Sequence, residues 1–543
     1  MRGMKSLRIL SFGILALALG GALAADFPPE RKKFIAHGWD LLAVTPEEVL
    51  AHADAFDRTG IDGVTLMLRQ RLADGRQIAH TTIMNDSLWP RAELEKKIPV
   101  FREIVKHPSL RESFLSSWWA PRRRLKWTDD AAWATFAANM GTVAYLAKAG
   151  GLRGILVDAE DYPRSAQYEL APDDPAYDET AQLARRRGRE VFKAIFDEYP
   201  DITFLSFWML TFKPIHFQSL DPMGSARSSG DLWPWFVNGM LDVMPPAAKF
   251  IDGNEGGYRF EAARGDFFRN ACEQRVKALG LVAPENRAKY RAQLRAGFGL
   301  YLDSYVVPTN SPWYMGPVNG SRLAHYVQNL SQAAEAADEY VWVYGEKHAW
   351  VSWRDTQNRR FADKPTWDDQ LPGFNAEMFG VKDPLAYAEM TLAACAARGK
   401  LVNLFAGTES KWGQWQEEKL SKGKMGRTEK GVFLEGCPKA CHIAKFEGVK
   451  GGERYVVKMR AKGASASSVV YWQKNRRWRW EFKGTPVVFA PAAADGWCEG
   501  MGLVYVPEGV DCLALQLCAH ERPGERVDFE DVRLYRLTPP EVK

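Results

Sequence analysis

Several signatures of common enzyme classes are missing from this chain of 543 residues. It contains no G-x-S-x-G nucleophile elbow and no H-E-x-x-H motif, which disfavours a serine hydrolase or a zinc protease of these types. No glycine-rich phosphate loop follows the first predicted strand. There is also no basic tail or basic stripe, so we predict no nucleic-acid partner.

Long apolar runs are equally scarce, and the one that stands out lies at the N-terminus. Basic residues at positions 2, 5 and 8 precede an apolar stretch over residues 9–18, and Ala22 and Ala24 supply a small-x-small pattern. This arrangement is typical of a cleaved signal peptide. We therefore predict a signal peptide over residues 1–24, a secreted or periplasmic protein, and no membrane association after cleavage near Ala24.

Cysteine is rare before residue 430, where only Cys272 and Cys395 occur. The other five are Cys437, Cys441, Cys498, Cys512 and Cys518. Because export permits disulfides, we expect disulfides or buried thiols in the C-terminal part. A metal site at Cys437-x-x-x-Cys441-His442 is the alternative, but this spacing fits no common zinc pattern, and we predict no metal or cofactor.

Eight short apolar segments alternate with helical patterns between residue 34 and about residue 408. The segments are 34–40, 63–69, 113–119, 154–161, 202–210, 249–258, 297–305 and 340–348. Apolar strands that alternate with helices indicate a parallel sheet covered on both faces. We therefore predict an α/β fold with a (β/α)8 TIM-type barrel over residues 25–408. A doubly wound sheet is the alternative.

The pattern changes after a polar segment, residues 409–430, which we interpret as a linker. Short strands with a period of two predict an all-β sandwich over residues 431–543. The stretches GERY, VPEGVDCLALQL and VDFEDVRLYRL make this region similar to carbohydrate-binding modules with a jelly-roll fold of the galactose-binding-like type. The resemblance implies either a sugar-binding or a purely structural domain. Its possible sugar platform comprises Trp472, Trp478, Trp480 and Trp497.

Acidic and aromatic residues follow nearly every predicted strand of the barrel. The carboxyl ends of barrel strands meet at one face, where barrel enzymes place their active sites. Carboxylates accept hydrogen bonds from hydroxyl groups and aromatic rings stack on sugar rings, so this face suits a saccharide. We expect the following residues to bind substrate: His37, Trp39, Asp40, Trp119, Asp161, Trp208, Asp252, Tyr258, Asp303, Tyr305, His348 and Trp350.

Hydrolysis of a glycosidic bond needs two carboxyl groups, one protonated and one ionised. Asp158 and Glu160 lie two residues apart on a strand and therefore point to one face, where each shifts the pKa of the other. We predict Glu160 as the general acid and Asp158 as the group that tunes it. Glu346, on the strand opposite, is the first choice for the second carboxylate, with Glu255 and Asp303 in reserve.

The residues Gly154-x-x-x-Asp158-x-Glu160 and Tyr162-Pro163 are similar to the strand-four motif of glycoside hydrolase family 18. This resemblance covers about ten residues and implies that Glu160 is the acid. Leu156 stands where the family has an aspartate, so the family's substrate-assisted mechanism is not carried over.

The sequence as a whole therefore predicts an exported glycoside hydrolase that acts on a poly- or oligosaccharide. A non-catalytic polysaccharide-binding protein on a degenerate barrel is one alternative, and a polysaccharide lyase with a Tyr or His base is another.

Overall fold

The computed structural model describes residues 32–84, 87–162, 164–356, 360–405, 412–417, 423–437, 439–519 and 525–537. The predicted signal peptide lies outside these residues, so cleavage and export stay predictions. Within the described part, no helix is both long enough and apolar enough to span a bilayer.

Nine parallel strands form one sheet in the N-terminal part. They are β1 (Lys33–Gly38), β2 (Gly63–Leu66), β3 (Phe114–Trp118), β4 (Gly154–Asp158), β5 (Thr203–Ser206), β6 (Lys249–Asp252), β7 (Leu294–Ala296), β8 (Phe298–Tyr301) and β9 (Tyr340–Gly345). Their order is β8-β9-β1-β2-β3-β4-β5-β6-β7. Only Gly297 separates β7 from β8, the two ends of this order, so the sheet is nearly closed into a barrel.

The strands are buried on both faces, as their continuous apolar sequences predict. One set of side chains packs inside the curved sheet and includes Ile35, Leu156, Leu205, Ile251 and Trp342. The alternate set packs outward against the helices and includes Phe34, Ile155, Phe204, Phe250 and Val341. Parallel register aligns Trp118 with Asp158 and Ser206 with Asp252, so these strands end at one edge.

The helices lie mainly between the strands. The α-helices are Trp39–Ala43, Pro46–Ala51, Ala53–Phe56, Arg91–Leu94, Ile98–Ile104, Asp130–Ala149, Tyr177–Glu198, Pro222–Ser228, Trp233–Val243, Asp266–Arg275, Arg287–Gln293, Arg322–Ala336, Trp367–Gln370, Phe374–Lys382 and Pro384–Ala397. The helix at Pro46 begins with a capping box, in which the Thr45 hydroxyl accepts from the Glu48 N–H and the Glu48 carboxylate accepts from the Thr45 N–H.

The C-terminal part consists of two antiparallel sheets around an apolar core. One sheet contains Gly413–Gln416, Ala440–Glu447, Cys512–Ala519, Ala466–Lys474, Arg477–Trp478 and Thr485–Pro486. The other contains Lys424–Arg427, Gly431–Glu435, Arg526–Leu537, Arg454–Lys462, Trp497–Tyr505 and Val488–Phe489. Two of these strands fall within the predicted linker, whose described residues therefore belong largely to the sheets. The domain boundaries themselves stay a prediction.

The four tryptophans of the expected sugar platform do not lie together. Trp472 is buried in the core between the sheets. Trp478 and Trp480 stack on each other with ring centroids 5.0 Å apart, and Trp480 is exposed. Trp497 lies in a strand of the other sheet, under the guanidinium of Arg460. A single platform built from all four is therefore wrong.

Candidate active site

Three carboxyl groups come together at the carboxyl ends of β4 and β6. Asp158 ends β4, and its Oδ1 accepts the Glu160 N–H at 2.9 Å, which fixes the turn that presents Glu160. Glu255 follows β6 after Asn254, whose φ of 35° turns the chain through the left-handed region. Asn tolerates this conformation better than most residues. The turn at Asn254 therefore positions Glu255 with only moderate backbone strain.

Burial raises the pKa of all three groups, and neighbouring carboxylates add to this effect at Asp158 and Glu255. Burial and then the charges of Glu160 and Asp158 raise the pKa of Glu255 from its usual 4.5 to about 8. Burial, with the neighbouring Glu160, raises the pKa of Asp158 well above its usual range, and burial raises that of Glu160 as well. Like charges in a low-dielectric site cannot all ionise, so this cluster retains protons at neutral pH.

The partners of Glu160 and Glu255 differ. Glu160 Oε2 accepts the Tyr162 hydroxyl at 2.9 Å, and the Trp118 indole holds the Glu160 carbonyl at 2.7 Å. The neighbouring Trp208 indole lowers the pKa of both carboxyls. Burial has the opposite effect on both and is the larger of the two. Glu255 Oε2 is buried and has no hydrogen-bond partner among the described residues, so it is available to a bound ligand.

Stacked tyrosine rings form a wall beside the carboxyl groups. The ring centroids of Tyr258 and Tyr301 are 5.2 Å apart, and those of Tyr301 and Tyr344 are 5.5 Å apart. His37 stacks on Tyr344 at 5.3 Å and contacts the Thr65 hydroxyl through Nδ1 at 2.6 Å. Burial, and then the neighbouring His80, lowers the pKa of His37 to about 3, so His37 is a neutral wall residue.

Glu346, the first choice for the second carboxylate, lies in a different cluster. Its Oε1 accepts the Tyr344 hydroxyl at 3.0 Å, and its backbone N–H donates to Asp303 Oδ2 at 2.8 Å. Burial is the main cause that raises the pKa of Asp303 to about 6. Glu346 is not among the charges that raise the pKa of Glu255, whereas Glu160 is. The structure therefore groups Glu160 with the reserve residue Glu255.

Asp40 and Trp350, both expected to bind substrate, instead hold the loop after β9. Asp40 is completely buried and accepts the Trp350 backbone N–H at 2.8 Å and the Trp353 indole N–H at 3.0 Å. The Trp350 indole donates to the His37 carbonyl at 3.1 Å. Asp40 Oδ2 and the Trp350 indole N–H therefore bind the protein itself, whereas the buried Asp40 Oδ1 has no hydrogen-bond partner among the described residues.

Asp252 and Asp161 are likewise used by the loops. Asp252 is completely buried and accepts the backbone N–H groups of Met209 and Thr211 at 3.2 and 3.0 Å. Asp161 accepts the Ser165 N–H at 2.9 Å. Both carboxylates satisfy backbone donors that have no strand or helix partner, a role that strand-end acids often take. Both carboxylates therefore hold loops of the protein itself.

Trp119 and Tyr305 lie in the hydrophobic core. Trp119 packs outside the sheet against Phe136 and Phe192, with centroids 5.6 and 5.4 Å away. The hydroxyl of buried Tyr305 accepts the Asn329 side-chain amide at 2.8 Å. Both side chains are buried away from the site, so the substrate role expected for them is not supported.

The other expected residues remain at the mouth of the sheet. Trp208 and Tyr258 adjoin the three carboxyl groups, and Trp39 is 37% exposed at the rim. The His348 ring meets Trp367 edge-on at 4.9 Å.

Two residues that the sequence analysis did not select, Tyr162 and Tyr344, each donate a hydroxyl to a glutamate. The signal for both was a tyrosine two residues from a strand-end glutamate.

Comparisons with known proteins add little to this geometry. No protein-family model and no curated protein matches the chain. Among solved structures, one described as "CBM4 structure and function" is similar at 15% identity and a TM-score of 0.19, over 25% of this chain and 92% of that chain. The CBM22-1–GH10 modules of Clostridium thermocellum xylanase 10B, complexed with xylohexaose, are similar at 12% identity and 0.19, over 24% of this chain and 27% of that chain. TM-scores this low carry no argument about fold or function.

Proposed function

We propose that this protein is a glycoside hydrolase in which Glu160 and Glu255 are the two catalytic carboxyl groups. The observation that carries the proposal is the cluster of Asp158, Glu160 and Glu255 at one edge of a nearly closed parallel sheet. We also propose that this sheet and its helices are a (β/α)8 barrel, that the C-terminal sheets are a jelly roll, and that the protein is exported.

The pKa of Glu255 and the hydrogen-bond partner of Glu160 divide the two roles. Glu255, with a pKa of about 8, is neutral at pH 7 and can protonate the leaving oxygen. Glu160 accepts the Tyr162 hydroxyl, which stabilises its ionised form, so it serves as the base or nucleophile. This exchanges the roles expected from sequence, in which Glu160 was the acid. Asp158 supplies negative charge that keeps the Glu255 proton in place.

The surroundings suit a poly- or oligosaccharide. The stacked rings of Tyr258, Tyr301 and Tyr344 offer apolar faces beside the carboxyls, and aromatic faces are the common platform for sugar rings. The Tyr344 hydroxyl donates to Glu346, whose carboxylate can also accept hydrogen bonds from sugar hydroxyls.

A lyase is less well supported, because it needs an ionisable base near neutral pH. Burial and the charge of Glu160 raise the pKa of Tyr162 far above its usual 10. Tyr258 is raised in the same way, and His37 is buried with a hydrogen bond to Thr65. None of the three residues is poised to remove a proton at pH 7.

The test is a screen for release of reducing ends from a panel of polysaccharides. Glu160→Gln and Glu255→Gln are each expected to lower the rate by roughly 100- to 10,000-fold, the usual contribution of one acid or base group. Glu103→Gln is the matched control, because Glu103 is exposed and pairs with Lys106 on the surface. Full activity of both active-site variants contradicts the proposal. Retention on polysaccharide gels without turnover supports the non-catalytic binding protein.

A further inference from the structure

A second feature of the barrel mouth lies across from the carboxyl cluster. It is a pocket of about 370 Å³ lined by Trp39, Leu42, Ala43, Arg69 and Arg360, which we name the arginine pocket. Its walls come from the segments that follow β1, β2 and β9, three neighbouring strands. In the sheet order, β1 is four positions from β5, whose neighbours β4 and β6 carry Glu160 and Glu255. The arginine pocket and the carboxyl cluster therefore face each other across the mouth.

The two guanidinium groups of the arginine pocket have no carboxylate partner among the described residues. Arg360 lies over the Trp39 ring, 4.6 Å from its centroid. Arg69 donates to the Leu42 carbonyl at 3.4 Å. Other arginines of the same sheet and helices are neutralised: Arg153 binds Glu112 and Arg185 binds Asp242, each through two nitrogens.

Lys347 and Lys364 add positive charge to this side of the mouth, whereas the pKa values of the neighbouring His80 and His348 are lowered towards the neutral form. Burial and then the charge of Arg69 lower the pKa of the adjacent His80 to about 3. Burial lowers the pKa of His348, and the charges of Lys364 and Lys347 lower it further. Two guanidinium groups without a carboxylate partner in the described part of the chain line one cavity together with an exposed tryptophan. Such a pair matches a carboxylate or sulfate carried on a sugar ring, because guanidinium binds these oxyanions through paired hydrogen bonds.

We propose that the arginine pocket binds the acidic group of a sugar unit, and that the substrate is an anionic poly- or oligosaccharide. This inference rests on the proposed function for the role of the pocket as a substrate subsite. The carboxylate of a uronic acid and a sulfate ester share the chemistry that two guanidinium groups recognise. The Trp39 ring would contact the apolar face of the same sugar unit.

The test measures binding by the full chain carrying Glu160→Gln, so that ligand is not consumed. Affinity gels containing pectate, alginate, carrageenan or neutral galactan identify the retained polymer, and calorimetry with its hexamer gives Kd. We expect an anionic polymer to be retained more strongly than galactan, and retention to fall as salt rises. Adding Arg69→Gln and Arg360→Gln is expected to raise Kd for the anionic hexamer at least about tenfold. Arg71→Gln is the matched control, because Arg71 lies with Arg69 on the short strand Arg69–Arg71 but does not line the pocket.

The outcomes separate this inference from the proposed function. Retention by pectate or alginate assigns a carboxylate, and retention by carrageenan assigns a sulfate. No retention by any anionic polymer, or an equal effect of Arg71→Gln and the double substitution, overturns the arginine pocket. Turnover of neutral sugars that the double substitution leaves unchanged also overturns it and preserves the proposed hydrolase. Preference for anionic polymers without turnover by the unsubstituted protein contradicts the hydrolase and preserves the pocket.

Discussion

Glu255→Gln is expected to stabilise the protein, and to do so only above a certain pH. Glu255 binds its proton up to about pH 8 in the folded protein but only up to about pH 4.5 in the unfolded chain. Between these values the folded state holds one more proton, so its stability falls as pH rises. The fall is about 1.4 kcal/mol per pH unit, which gives roughly 5 kcal/mol over the whole interval. Glutamine has the same shape and cannot ionise, so the variant avoids this loss.

The assay is the midpoint of thermal unfolding between pH 4.5 and pH 9. A large unfolding unit shifts by less than about 2 °C for each kcal/mol, so we expect Glu255→Gln to melt roughly 5 °C above the unsubstituted protein at pH 8 and above. At pH 4.5 the two should coincide. Glu103→Gln, with its exposed side chain, should show no such divergence. A difference between Glu255→Gln and the unsubstituted protein that does not change with pH would refute the burial and charge coupling assigned to Glu255.

Three further predictions follow from specific contacts. Asp158→Asn removes one of the charges that raise the pKa of Glu255, so the alkaline limb of kcat/KM should move to lower pH; an unmoved limb contradicts the coupling. Glu377→Leu removes the carboxylate partner of the Arg454 guanidinium, which lies between the helix Phe374–Lys382 and the C-terminal sheet, and should cost about 3–5 kcal/mol in calorimetry; a neutral result contradicts it. Cys441 and Cys518 are direct partners on adjacent antiparallel strands, so oxidised glutathione should convert both thiols to one disulfide by exchange; two alkylatable thiols after treatment contradict it.

Much of the N-terminal fold follows from local sequence. Each of the eight predicted apolar segments overlaps a strand of the parallel sheet, because a strand covered on both faces must be apolar throughout, whereas the ninth strand, β7 (Leu294–Ala296), lies outside them. The segment 297–305 differs in detail: β8 ends at Tyr301 and a 3-10 turn follows at Leu302–Tyr305. The polar segment at 409–430, predicted as a linker, contains two short edge strands. These strands carry few apolar residues, so the sequence pattern does not reveal them.

The candidate site shows where sequence reasoning stops. Glu160 and Asp161 are adjacent, yet one faces Glu255 and the other binds the backbone of its own loop. Asp252 and Glu255 divide in the same way after β6. Which acid satisfies a loop and which faces the ligand depends on where unpaired backbone N–H groups lie, and periodicity along the chain does not contain that information.

The pairing of Glu255 as acid with Glu160 as base or nucleophile is tested most directly by comparing leaving groups on the sugar that the screen identifies. A dinitrophenyl glycoside has a leaving group that departs without protonation, whereas the natural glycoside needs an acid. Glu255→Gln is expected to retain bond cleavage on the dinitrophenyl glycoside and to lose it on the natural one, while Glu160→Gln should lose both. The opposite pattern, with the dinitrophenyl glycoside cleaved by Glu160→Gln and not by Glu255→Gln, would contradict the assignment.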